Sequence, residues 1–217
     1  MAHARIVLIH ALQQSVVPAR DAFRRGWADA EVVDLLDTSL SVDLQTAGGF
    51  TRSLHQRFQA LGRYAVEIGA DGILFTCSAF GPCIDEVKAE LDPLPVLAPY
   101  DAMIAEATEM GGRIGLLATF EPTLHTLPED FPPRVSVTPK PVPGALTALT
   151  DDPARHDELA ARAAAEIADS CDVIALAQFS LARAAPLVAQ RTGLRVLTSP
   201  DTAVAALRRA LEGNSRP

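Results

Sequence analysis

The chain has 217 residues, room for one large domain or two small ones, and its 48% hydrophobic and 21% charged side chains exclude a disordered chain. Nineteen basic against twenty-seven acidic residues give a formal charge of −8 with no Lys/Arg-rich run interleaved with aromatics, so no nucleic-acid partner is expected. The apolar runs are too broken to span a bilayer, MAHARIVLIH leads into a strand rather than a signal-peptide core, and three cysteines make no disulfide framework; a cytoplasmic protein with no membrane partner is the expectation.

In chain order, RIVLI (Arg5 to Ile9) reads as a first strand, and Pro18 to Trp27 as helix before a second strand, EVVDLL. Next, TRSLHQRFQALGRYAVEIG places Leu54, Phe58, Leu61, Ala65 and Ile68 at spacings of three and four. That predicts one apolar helix face, with Gly69 at the C-terminal cap. GILF is a buried strand, GPCIDEVKAEL a helix with Pro82 in its first turn, and PVLAP a short strand. YDAMIAEATEMGG is a helix closed by two glycines, and RIGLLAT a further strand. Within Pro128 to Pro143, RVSVT (Arg134 to Thr138) is the expected edge strand. DDPARHDELAARAAAEIADS carries an Asp-then-Pro helix start, and DVIALA, SLARAAPLVAQRTG, RVLTS and PDTAVAALRRALEG continue the alternation.

About eight strands with intervening helices predict an α/β chain in two lobes with mostly parallel sheets. The expected boundaries are 1–99 with 195–217 for the first lobe and 100–194 for the second. The chain also resembles itself. RIVL aligns with RIGL, and DGILFTCSAF from Asp71 aligns without a gap against DVIALAQFSL from Asp172. A duplication would set the two strand ends across a cleft, with Cys77 opposite Gln178.

Cys77 stands where a buried strand gives way to Ser78, Ala79, Phe80 and Gly81, the sheet edge at which open α/β folds hold ligands. Turn amides and the following helix would favour a thiolate there; the plain alternative is a small buried side chain. Cys83, directly after Pro82, is a rival thiol, and the two could form a reversible disulfide. Cys171, at the other end of its strand, reads as structural. His10 ends the first strand and could shuttle a proton or serve as a structural imidazole. His55 and His156 read as helix-surface residues. With His3 and His125 they form no metal-ligand pattern. Thr119, Ser78, Gln178 and Ser180 occupy comparable strand-end positions. No GxGxxG, GxxxxGK[ST] or GxSxG occurs, so nucleotide cofactors lack their usual cradle.

Taken together, RIVLIHALQQS, GADGILFTCSAFGP, GGRIGLLATFEPTL and DVIALAQFSLA resemble the aspartate/glutamate/hydantoin racemase superfamily in the right order along nearly the whole chain. The resemblance implies two Rossmann-like lobes related by pseudo-twofold symmetry, with a small carboxylate or hydantoin-like substrate held between them and no cofactor. Its members include amino-acid and hydantoin racemases, maleate isomerase and arylmalonate decarboxylase. Family racemases use one cysteine from each lobe on opposite faces of the substrate carbon. The first maps onto Cys77, with Thr76, Ser78 and Thr119 among the residues that bind the substrate carboxylate and His10 and Ser15 in the first-strand loop.

The second cysteine position is Gln178, and an amide is no Brønsted base. Ser180, two residues on, is an unactivated hydroxyl and a poor replacement. A racemase then needs His10 or another group as its second base. A single thiol suits a decarboxylase of a malonate-type acid, although arylmalonate decarboxylase keeps the second-lobe cysteine and lacks the first. It would also suit an isomerase that adds sulfur to an unsaturated diacid. A protein that binds a small carboxylate without turning it over is the non-catalytic alternative. Two copies could pair through outer helices.

Overall fold

The computed structural model describes residues 3–214. By its contacts the chain divides into two units, one running up to Pro99 and resuming at Ala203, the other Tyr100–Thr202. In the first unit, β1 (Arg5–His10), α1 (Val16–Gly26), β2 (Glu31–Leu36), α2 (Ser39–Ala47), α3 (Arg52–Glu67), β3 (Gly72–Phe75), α4 (Gly81–Leu91) and β4 (Val96–Leu97) follow one another. Their strands form a parallel sheet in the order β2-β1-β3-β4. The second unit holds α5 (Asp101–Met110), β5 (Arg113–Ala118), α6 (Glu121–Thr126), β6 (Ser136–Pro141), α7 (Ala145–Asp151), α8 (Pro153–Ala165), β7 (Val173–Leu176), α9 (Ala185–Thr192) and β8 (Arg195–Thr198). Its parallel sheet runs β6-β5-β7-β8. α10 (Ser199–Asn214) begins in the second unit and counts with the first from Ala203 onward.

The central strands β1, β3, β5 and β7 read as nearly continuous apolar stretches because both sheet faces are covered there. In the second unit Ile114, Leu116, Val173 and Ala175 pack with Met103, Ala107, Leu124 and Phe131. The alternate residues Leu117, Ile174 and Leu176 pack with Ala160, Ala164, Leu181 and Val188. Gly115 is one of these alternate positions. A Cβ there would come within 2.8 Å of the terminal methyls of Ile167 and Ile174, which would have to shift to admit it. In the first unit Phe58, Phe75 and Phe80 form an aromatic group. Ring centroids lie 5.5 Å apart for Phe58–Phe75 and 4.8 Å for Phe58–Phe80.

The two sheets repeat one hydrogen-bond frame. Asp71 accepts from the Arg5 amide at 2.7 Å, and Asp172 from the Arg113 amide at 2.8 Å. The Thr76 amide donates to the Ile9 carbonyl, as the Ala177 amide does to that of Leu117. The Asp37 amide donates to His10 as that of Val142 does to Ala118. Cys77 and Gln178 each follow a four-residue buried strand by two positions, in extended backbone, directly before a 3-10 turn. The self-similarity read from the sequence is therefore a structural repeat.

Helix ends follow their local chemistry. Gly69, at φ 83°, terminates α3. Asp152 accepts from the Arg155 amide, with Pro153 opening α8. Several elements depart from the sequence reading. The expected edge strand at 134–138 is instead Ser136–Pro141. Its alternation turns Val137, Pro139 and Pro141 away from β5, so two missing N–H groups fall on the open side. The stretch 179–192 is a 3-10 turn (Phe179–Ala184) followed by α9, because Pro186 suits only the first turn of an α-helix. β8 (Arg195–Thr198), assigned by the expected boundary to the first lobe, pairs with β7 in the second sheet, joined to it through α9 as a short β-α-β unit. Among the described residues, no helix is long and apolar enough to cross a membrane.

Candidate active site at the strand ends

At the C-terminal end of the first sheet, β1 and β3 bring together three polar side chains that lie far apart in sequence. His10, fully buried, has Nδ1 2.8 Å from Thr76 Oγ1 and 3.0 Å from Ser15 Oγ. The two hydroxyl oxygens are 2.9 Å apart. Ser15 also donates to the Leu12 carbonyl at 2.8 Å. Behind the ring, Nε2 stands 3.1 Å from Asp34 Oδ1, and Arg20 reaches Asp34 Oδ2 through Nε and Nη2, each at 2.5 Å. Burial lowers the His10 pKa, against the opposing pull of Asp34, so the imidazole is neutral near pH 7.

Asp34 and Arg20 were not singled out from the sequence. The available signal was one carboxylate inside the apolar strand EVVDLL. Asp34 pairs with Leu8, two residues before His10, which puts it on the same sheet face as the imidazole.

Cys77 is half-buried beside Thr76 and leads into the 3-10 turn Ser78–Phe80. Burial pushes its thiol up, with the Ala79 amide opposing. The expected thiolate is therefore not the resting form: α4 begins only at Gly81, and one turn amide does not outweigh desolvation. Alkylation by iodoacetamide should accordingly be slow at pH 7 and rise with pH into the alkaline range. A rate that has already levelled off at pH 7 would contradict a protonated sulfur.

Cys83, expected to gain a lowered pKa from the helix start, is fully buried in α4, and desolvation plus Glu86 pushes it up to about 11. It is a packing residue, as is Cys171, which lies against the Gly115 backbone.

In the second unit, Thr119 and Gln178 come together. The Gln178 Oε1 accepts from the Thr119 amide and the Thr119 hydroxyl, both at 2.6 Å. A backbone N–H needs an acceptor, so this contact fixes which end of the side-chain amide is oxygen and leaves Nε2 as the donor end. Ser180 is buried in the turn that follows. His156 corrects the surface expectation. It is fully buried on α8, with Nδ1 2.9 Å from Asp157 and Nε2 without a hydrogen-bond partner. Half-buried His55 lies on α3 with Nδ1 3.0 Å from Glu86. Among the described residues, no group of three or more His, Cys, Asp or Glu side chains is placed to hold a metal ion.

The repeated frame exposes a chemical asymmetry. Where the first unit has His10, Asp34, Thr76 and Cys77, the second has Ala118, Pro139, Ala177 and Gln178 at matching register. Every titratable side chain of this strand-end set belongs to the first unit.

Solved structures share the fold at low identity. Allantoin racemase from Klebsiella pneumoniae matches with TM-score 0.75 and 16% identity over 97% of this chain and 89% of its own. An aspartate racemase homologue from Pyrococcus horikoshii OT3 gives 0.71 and 15%, over 98% and 99%. A point mutant of arylmalonate decarboxylase in a sulfate-associated form gives 0.70 and 21%, over 98% and 96%. No curated protein sequence matches the chain. The family model for Asp/Glu/hydantoin racemase matches residues 50–207. With nearly three quarters of its length under that match, the chain belongs to the Asp/Glu/hydantoin racemase family.

Proposed function

We propose that the protein is a cofactor-independent enzyme of racemase/isomerase type, acting at the α carbon of a small carboxylate or hydantoin with Cys77 as its single proton carrier. The observation that carries this reading is the asymmetry of the repeated frame. Cys77, Thr76, His10 and Ser15 cluster at one set of strand ends, and the matching set offers a neutral amide. Gln178 and Thr119, as ligand contacts, would supply N–H donors to a carbonyl or carboxylate but no base. Ser78 and the backbone amides of its turn would serve the same end beside Cys77.

A protonated Cys77 favours a second reading, decarboxylation of a malonate-type acid. The carbon–carboxylate bond breaks, carbon dioxide leaves, and its electron pair remains as an enediolate stabilised by amide donors. The S–H proton then moves to carbon on one face, and water restores it to sulfur. Stereoinversion, by contrast, needs a deprotonated group on one face and a proton donor on the other.

The test is incubation in D2O with amino acids, hydantoins and substituted malonates. Deuterium appearing at the α carbon of an amino acid or hydantoin supports the first reading. Carbon dioxide release with deuterium on a single face supports the second. Binding of these compounds with no turnover at all would leave a carboxylate-binding protein and overturn both.

A further inference from the structure

We propose that Asp34, held by Arg20, is a positioning residue that fixes His10 in its Nε2–H form and thereby turns the Thr76 hydroxyl proton inward. The proton inventory of the cluster leads there. An ionised carboxylate only accepts hydrogen bonds, so the 3.1 Å contact between Asp34 Oδ1 and Nε2 needs its proton on the nitrogen. The guanidinium of Arg20 holds that carboxylate in place through Oδ2. In a neutral ring Nδ1 is then a lone pair. Ser15 has the Leu12 carbonyl at 2.8 Å and Thr76 Oγ1 at 2.9 Å as acceptors for its own proton. Thr76 finds Nδ1 at 2.8 Å and the Ile9 carbonyl only at 3.4 Å, so its proton goes to the ring.

With its proton on the ring, the Thr76 hydroxyl beside Cys77 keeps lone pairs, one of them facing Ser15 Oγ at 2.9 Å, and a ligand group meeting it must bring its own proton. This meaning for a ligand rests on the reading of the cluster as part of the active site; the tautomer itself does not. The second unit has Ala118 and Pro139 at the matching positions and cannot build such a device.

The experiment is 15N NMR of histidine-labelled protein, with His10 assigned by the signals lost in His10→Gln. The wild type should show a pyrrole-type Nε2 and a pyridine-type Nδ1. In Asp34→Asn the two N–H donors of Arg20 claim the amide oxygen, which presents the Asn NH2 to Nε2. The two nitrogens should then exchange their resonance types. Adding Arg20→Met frees the amide to turn, and the proton should return to Nε2.

A wild-type ring protonated on Nδ1 overturns the proposal whatever the variants do, including a variant that fails to fold. A folded Asp34→Asn protein that keeps Nε2–H, or a double variant that stays reversed, overturns the roles of Asp34 and Arg20. None of these spectra requires turnover. A failed exchange experiment with Cys77 and a failed tautomer assignment are therefore distinguishable.

Discussion

Cys77→Ala should lower the rate of α-carbon exchange or decarboxylation by about 10²- to 10⁴-fold, the range for losing a positioned acid or base. That is about 3–5 kcal/mol of transition-state stabilisation. The large figure follows from the absence of a substitute: at the matching position of the repeat stands Gln178, whose oxygen is already engaged by Thr119. His10 has both nitrogens committed, to Asp34 on one side and to Thr76 and Ser15 on the other. Cys77→Ser should fall nearly as far, because a hydroxyl titrates far above a thiol. Half-buried Cys77 does not belong to the tightly packed interior, so the melting temperature of either variant should move little. Activity within threefold of wild type in Cys77→Ala would remove the thiol from the mechanism.

Phe80→Ala should cost about 3–5 kcal/mol of folding stability, out of a total on the order of 5–15 kcal/mol for a typical protein. Phe80 has no exposed surface and closes against Phe58 at 4.8 Å, which in turn lies against Phe75 of β3. The ring also anchors the turn that carries Ser78 and the Ala79 amide, so the loss reaches the surroundings of Cys77. Urea denaturation would show a midpoint shifted down at nearly unchanged slope. A loss under 1 kcal/mol would mean that the aromatic group collapses around the gap without penalty.

The sequence carried the architecture where the physics is local or periodic. IGLLA after Arg113 and VIAL are apolar throughout because each run is buried on both faces, and the Asp-Pro pair at 152–153 announces a helix start. It failed where packing decides. α2 buries only Leu40, so SLSVDLQTA shows no apolar stripe to read. His156 sits in a sequence as polar as a helix surface, ARHDEL, yet is fully buried, with Asp157 beside its Nδ1 and Arg183, from the 3-10 turn after β7, paired to that carboxylate. In the site, strand-end position pointed to Cys77 and His10, and the family resemblance added Thr76 and Ser15. Asp34 and Arg20 escaped, since Asp34 reaches the imidazole from the neighbouring strand and Arg20 reaches Asp34 from α1, a relation that only the pairing register creates.

The outer strand of the second sheet has a consequence for what can attach to it. Pro139 and Pro141 leave Val137 as the single residue of Ser136–Pro141 able to donate from the open side. An incoming strand from another chain would meet carbonyls and pyrrolidine rings in place of a donor row. Ladder growth at this border, the usual route to edge-to-edge polymerisation, is thereby blocked by backbone chemistry alone.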